Sequence, residues 1–471
     1  MRDLPHQPHV IQEVVADDLC IGCGVCAGAC PRRNLLMKWD SRGFLRPRAI
    51  GECPASCGVC VAVCPFGGDV RDEDTIAEEL YAGGDAVKHS AEAGFWRAAY
   101  IGSVAVGEYR ERGASGGLAS WVLCQLLERG AVDRVACVAS TGEPECLFRF
   151  AVCDSPDEVR RCSKSAYYPV ELSGVLRTIL DEPARYAIIA LPCFAKALRL
   201  AASRIPDLRD RLSMVCGLVC SQLKSRSFAD YLVLHAGLDP QSTTWVSFRE
   251  KVPDRPASNG AFAARAGEQR AQVDRVSRVY GQAWGIGQFK PRACDFCDDV
   301  FAETADVVFM DAWLPDYVLD WRGASIVVTR SAQADELVRL GVCDGELALG
   351  PVGVESVLRS QRGPLLQKRV LLANRLWLAE REGRSPTRKR VAPCRPGWPT
   401  SAKLRALEGL RQASDEAVAA QRLSSPTALQ TYHATTRDAL RRVRFAEALE
   451  RLARVPRGLA RRLMACTGRR R

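Results

Sequence analysis

Eight cysteines between residues 20 and 64 constrain this chain more than any other feature. They form two runs, Cys20-x2-Cys23-x2-Cys26-x3-Cys30-Pro and Cys53-x3-Cys57-x2-Cys60-x3-Cys64-Pro. The first is the bacterial ferredoxin run. Its tight spacing lets three thiolates grip three corners of a cubane, while the fourth is carried past a turn to the other cluster. Cys20, Cys23, Cys26 and Cys64 are therefore expected to hold one [4Fe-4S] cluster, and Cys53, Cys57, Cys60 and Cys30 a second. Zinc is the alternative, but a zinc site has no need of two interleaved runs. The gap after Cys53 is one residue longer than usual, so Cys53 is the loosest ligand, with a three-iron cluster or a bulged loop as alternatives.

Twenty-one cysteines in 471 residues are too many for a reducing cytosol to keep as disulfides. No apolar signal peptide opens the chain and no apolar run is long enough to span a bilayer, which points to a cytoplasmic protein. The length exceeds one ordinary core. The pattern divides into a dicluster ferredoxin-like module (residues 1–70), a connector (71–98), a main domain (99–384) and a basic tail (385–471). From Ser385 onward 20 Lys and Arg face 6 Asp and Glu, so the chain's net +11 belongs to the tail. Its sequence "TRDALRRVRFAEALERLARV" suggests a helix with Leu440, Val443, Phe445 and Leu449 near one face. A solvated helical appendage is the plain reading; contact with an anionic membrane surface or an acidic partner is the alternative. Nucleic acid is not indicated, for want of aromatic interleaving or a motif.

In the main domain, helical and strand patterns alternate. "ASGGLASWVLCQLLERG" puts Leu118, Trp121, Val122 and Leu126 on one helical face, with Gly130 as stop. "VDRVACVAS", "YAIIALP", "LSMVCGLVC", "ADVVFMDAW" and "ASIVVTR" read as strands, while residues 255–280 read as a loop or short excursion. The fold class is thus a mixed α/β layer domain, preceded by the ferredoxin module and followed by a basic helical tail. Cys193 and Cys220 stand where two buried strands run out, the side of an α/β sheet where ligands gather. Cys294 and Cys297 form an isolated CxxC. A third [4Fe-4S] cluster and ordinary buried core cysteines both fit these positions.

The order of "GASGGLASWVLCQLLERGAVDRV", "CSKSAYY", "IIALPC", "DLRDRLSMVCGLVC", "VSFREK" and "CDFCDDVFAETADVVFMDAW…GASIVVTR" resembles the coenzyme F420 hydrogenase/dehydrogenase beta-subunit family, over roughly residues 15–385. The resemblance implies an iron–sulfur flavoprotein carrying FAD. It also implies that Cys193, Cys220, Cys294 and Cys297 bind a third cluster, with Cys216 and Cys162 as fallback ligands. Ser115, Gly116 and Gly117 open a helix, where Ser can cap and an FAD diphosphate can meet backbone N–H groups. Arg112, Ser163 and Lys164 are further cofactor-binding candidates. Lys164 and Asp311 are the catalytic candidates, an ordinary turn acid being the alternative for Asp311. The chain departs from the family's habit at Leu191, Met310 and Ser221-Gln222, all near the expected active site. No GxGxxG fingerprint supports an NAD site, and none of the five histidines lies in a motif.

The expectation is an oxidoreductase coupling hydride chemistry at FAD, with coenzyme F420 or a similar conjugated substrate, to one-electron transfer through [4Fe-4S] clusters. Its other partner is a redox protein, a ferredoxin or an enzyme subunit, and an oligomer is compatible with the chain. Two alternatives are a ferredoxin-dependent reductase of another small substrate and a non-catalytic electron-transfer subunit.

Overall fold

Long apolar runs such as Tyr186–Ala190 and Ser325–Thr329 are buried along their whole length, as strands covered on both faces must be. They lie inside one mixed eight-stranded sheet. Its order is Leu347–Pro351, Ala98–Val104, Ser325–Thr329, Val307–Asp311, Leu212–Leu218, Tyr186–Ala190, Arg134–Glu143 and Cys146–Cys153. The inner strands from Val307–Asp311 to Arg134–Glu143 run parallel; the outer pairings are antiparallel. The computed structural model describes residues 7–275, 278–384 and 389–454.

Alternation along each strand feeds two cores. Ile188, Val215, Val308 and Ile326 point into one; Ile189, Met214, Phe309 and Val327 point into the other. The predicted helix spans Leu118–Glu128, and Leu118, Trp121, Val122 and Leu126 are all buried. The first core continues into the cysteine-rich module through Val25, Ala27 and Val63. Leu172 N–H donates to Cys23 O at 2.8 Å, and the short helix Val25–Gly28 packs on the helix Pro192–Ala202. The module is therefore built onto the sheet domain.

The structure corrects several expectations. Residues 255–280 hold a structured excursion rather than a loop: Ala261–Ala266 and Gln269–Asp274 pair as a hairpin that extends Thr243–Glu250 into a three-stranded antiparallel sheet. Gly267 supplies the positive φ that its tight turn requires. Strands Ala98–Val104, Cys146–Cys153 and Leu347–Pro351 also belong to the main sheet. The C-terminal region forms two helices, Trp398–Ala420 and Pro426–Arg454, but it is no solvated appendage. Val418, Leu423 and Tyr432 join a core with Phe228, Phe248 and Phe289. Ser414 Oγ accepts from Phe289 N–H at 3.3 Å, and Arg411 reaches Asp18 of the cysteine-rich module at 3.5 Å. Val443 is buried whereas Phe445 is 67% exposed, because two residues turn a helix by about 200°. The tail beyond residue 454 and the residues 385–388 lie outside the described residues.

Candidate iron–sulfur and cofactor sites

In the N-terminal module the loop Cys20–Cys26 must turn sharply at Gly22, whose φ is +73°. A Cβ there would stand 2.6 Å from Leu45 O, so only glycine lets the loop close on its hairpin. The turn gathers the thiols: Cys20 and Cys64 adjoin Cys23, and Cys20, Cys23 and Cys64 adjoin Cys26. Cys57, Cys60 and Cys30 surround Cys53. The extra residue after Cys53 is absorbed in a turn, with Cys57 N–H donating to Pro54 O at 3.0 Å. Burial pushes the Cys23 and Cys26 thiols well up and Cys64 to about 12. Buried thiols of this kind become thiolates only when a metal supplies the positive charge.

The second gathering lies in the sheet domain. Tyr186–Ala190 and Leu212–Leu218 are neighbouring parallel strands with Ala190 opposite Gly217. Cys193 and Cys220 each follow three residues later, so register places them side by side beyond the strand ends. The turn Arg292–Phe296 brings up Cys294, with Cys297 at its end. Cys193 feels Cys297, Cys220 and Cys294 as its nearest like charges, and burial raises its thiol well above the ordinary value. Burial likewise pushes Cys294 up to about 12. Donors aim at the sulfurs: Leu223 N–H reaches Cys294 Sγ at 3.2 Å and Lys368 Nζ reaches Cys297 Sγ at 3.2 Å. Such contacts set cluster potentials. Lys368, only 3% exposed, stands on the helical turn Leu366–Val370, and no sequence pattern marks it. Its ammonium is held strongly protonated, against the cost of burial, by Cys297, Cys220 and Cys294.

The fallback ligands do not join this site. Cys216 faces the second core, because it precedes Cys220 by four residues and still lies within the strand. Cys162 stands instead with Cys137 and Cys153.

Helix Pro192–Ala202 connects the two gatherings. Lys196, one turn after Cys193, lies within electrostatic reach of Cys64 and forms a buried pair with Glu73 at 3.2 Å. One end of the helix thus serves the second site and its next turn faces the first.

The cofactor candidates lie at the same sheet end. Asp311, Ser325 and Gly102 are successive partners across three strands. Ser115 does not cap the helix; its hydroxyl donates to Ala324 O at 2.7 Å, and Gly117 (φ +84°) is the N-cap. Gly116 N–H donates to Ser325 Oγ at 2.9 Å. A Cβ at Gly117 would lie 2.6 Å from Tyr109 O, so this glycine serves close packing of the loop. Asp311 is held by Arg249 through two 2.7 Å bonds. Lys164, at φ +97°, pairs with Glu250 at 2.9 Å. Ser163 Oγ bonds Arg160 O at 2.8 Å, and its hydroxyl lies 3.3 Å from that of Ser120. Arg112 pairs with Glu108 and lines, with Ser163, a cleft of about 550 Å³.

Arg249 lies on the strand Thr243–Glu250 and Lys251 just past its end, in the "VSFREK" segment, where no role is evident from sequence. Lys251 Nζ donates to the carbonyls of Arg110 and Ser115. Burial, together with Arg110 and Arg249, brings its pKa down to about 8. Arg110, Arg249, Lys251 and Lys164 thus gather around the Ser115 loop, a donor set suited to an anion.

A sheet domain with cysteines at its strand ends, built onto a ferredoxin-type module, defines an iron–sulfur protein of the oxidoreductase kind. Residues 19–68 match the 4Fe-4S dicluster domain. Residues 99–177 and 184–354 match, respectively, the N-terminal and C-terminal parts of the beta subunit of coenzyme F420 hydrogenase/dehydrogenase. The chain belongs to the coenzyme F420 hydrogenase/dehydrogenase beta-subunit family.

A subunit of the F(420)H(2) dehydrogenase of Methanosarcina mazei is 22% identical over 225 residues, 46% of this chain and 57% of the relative. Coenzyme F420-dependent sulfite reductase of Methanocaldococcus jannaschii is 22% identical over 345 residues, 69% of this chain and 46% of the relative. The chain spans about half the length of these curated relatives. One component of the F420-reducing [NiFe] hydrogenase complex from Methanosarcina barkeri aligns at 16% identity and a TM-score of 0.48, over 62% of this chain and 96% of that one. Among the described residues no helix is long and apolar enough to cross a membrane.

Proposed function

We propose that the chain is an iron–sulfur flavoprotein oxidoreductase that couples two-electron chemistry on coenzyme F420, or a similar conjugated molecule, to one-electron transfer through [4Fe-4S] clusters. The observation that carries this reading is the convergence of Cys193, Cys220, Cys294 and Cys297 beside buried Lys368 at the sheet end. These four cysteines would hold a third cluster. Cys20, Cys23, Cys26 and Cys64, and Cys53, Cys57, Cys60 and Cys30, would hold the other two.

FAD would lie along the Ser115–Gly117 loop, its diphosphate met by Lys251, Lys164 and the start of helix Leu118–Glu128. When bound, FAD supplies exchange of a hydride with an organic molecule and of single electrons with clusters. The chain's own residues bind and orient. Asp311 uses both carboxylate oxygens on Arg249, so its part is to aim that guanidinium over Trp313. Lys251, its proton loosened by burial and by neighbouring cations, supplies charge that an anion would stabilise. Helix Pro192–Ala202 fixes the spacing between the third site and the Cys64 cluster. The relatives named for coenzyme F420 support that substrate class, and the dehydrogenase subunit among them supports a redox protein as electron partner.

Anaerobic purification with iron, sulfide and flavin quantitation tests this reading. Three cubanes predict about twelve irons with one FAD per chain, and Cys294→Ser about eight. Eight irons in both proteins, or a flavin-free chain that stays flavin-free with added FAD, would sink it.

A further inference from the structure

Three cysteines outside both gatherings stand closer together than any three within them. Cys137 lies on Arg134–Glu143 and Cys153 on the antiparallel neighbour Cys146–Cys153. Val135 is opposite Cys153, so Cys137 is its diagonal neighbour on the same sheet face. The helix Pro156–Arg161 then returns the chain and delivers Cys162 as its C-cap. The three sulfurs lie within 4.8 Å of one another, the one such group of metal-binding side chains among the described residues. Cys137 Sγ and Cys153 Sγ are 3.8 Å apart.

We propose that Cys137, Cys153 and Cys162 form a mononuclear thiolate site for a thiophilic divalent cation, zinc, with its fourth position open. Two thiolates bound about 2.3 Å from one tetrahedral ion stand about 3.8 Å apart, the separation found between Cys137 and Cys153. A disulfide between those two is disfavoured. Diagonal neighbours across a sheet are separated by about 7–8 Å, beyond the usual disulfide span of about 4.4–6.8 Å between Cα atoms. Cys137 and Cys153 are 4% and 3% exposed while Cys162 is half-buried, so solvent reaches the site from one side, where the fourth ligand would enter. Arg161 adds positive charge beside Cys162.

The ion would fix the strand pair to the "CSKS" loop. Ser163, next in sequence, lies 3.3 Å from Ser120 in the first turn of helix Leu118–Glu128. Lys164 follows in its positive-φ conformation. The ion's part would be to hold this loop, whether or not a flavin binds.

Metal analysis of the full chain, purified anaerobically with its clusters and equilibrated with zinc, tests the proposal. The expected result is about one zinc per chain, with a zinc X-ray absorption edge showing three sulfurs at about 2.3 Å. In Cys162→Ala the zinc should fall at least tenfold while iron is unchanged. Zinc below a tenth per chain in the wild type, equal zinc in the variant, or iron lost together with zinc would each overturn it. A disulfide between any two of the three, found by mass spectrometry in zinc-treated protein, would do the same. Should Cys162→Ala fail to fold, the sulfur shell at the wild-type zinc edge decides alone.

Discussion

Lys368→Met removes the ammonium that touches a sulfur of the second cysteine gathering, 3.2 Å from Cys297 Sγ. At that separation a unit charge pair is worth about 5 kcal/mol at an effective dielectric of about 20. An electron delocalised over a cubane sits farther away, roughly twice as far on average, which leaves about 2.5 kcal/mol. For a one-electron couple, at about 59 mV for each 1.4 kcal/mol, this is on the order of 100 mV. The sign follows from charge: Lys368 would favour the more negative, reduced state of the proposed third cluster, so the methionine variant should have the lower potential. Lys368 also donates to Asp299 O at 2.6 Å, and losing that charged hydrogen bond should cost about 1–3 kcal/mol of stability. Potentiometric titration followed by electron paramagnetic resonance measures the shift, with Lys368→Arg as the charge-retaining control. A variant that keeps its full iron and shows no cluster moved by more than about 20 mV would refute the reasoning, because a buried charge cannot touch a redox centre and leave its potential alone.

Two further outcomes follow from buried charge. Arg390 binds Glu303 through bonds of 2.7 and 3.0 Å and receives Asp298 at its backbone N–H, both acids being 1% exposed. Arg390→Ala removes the guanidinium these acids share, leaving Glu303 with Arg369 at 3.0 Å and Asp298 with the backbone N–H, and should cost about 3 kcal/mol in denaturant unfolding; a loss under about 1 kcal/mol contradicts the network. His235, with Nε2 3.2 Å from that of His433 on the second C-terminal helix, has its pKa lowered from 6.5 to about 4, by burial first and then by His433. Between those values the unfolded chain binds a proton that the folded chain refuses, so stability is retained above pH 6.5 and lost as pH falls towards about 4. His235→Gln should flatten that pH slope of the denaturation midpoint, and an unchanged slope would exclude His235 as its source.

The cysteine chemistry was legible because the chain states it locally. Ferredoxin spacing is a run of neighbours, and Cys193 and Cys220 end apolar stretches whose length marks buried strands. What register adds is the pairing of Ala190 with Gly217, which no single strand reveals. Lys368 was not legible: it meets Cys297 across 71 residues, and nothing in "LLQKRV" marks a buried lysine. The hairpin at Ala261–Asp274 was missed because its alanines resemble neither a β-branched strand nor a helix face, although Gly267 carried a turn signal. Ser115 read as a cap from residue type alone. The start of the neighbouring strand Ser325–Thr329 captures its hydroxyl instead, because Ala324 O lies within reach. Cys137, Cys153 and Cys162 had no motif spacing, since a strand diagonal and a helix end bring them together.

The route of the chain through its two cysteine gatherings also sets the order in which iron can enter. The N-terminal eight all lie within residues 20–64 and are complete while the rest is still being synthesised. The other four are drawn from three separate segments and wait on parallel strand pairing, a slow and non-local step. Ser414 on the first C-terminal helix then seals the segment leading into Cys294 by bonding Phe289. On the proposed reading of those four cysteines as cluster ligands, iron delivery to that second place would be a late event in biogenesis, and scarcity of iron would strand a chain with its front filled and its sheet end empty.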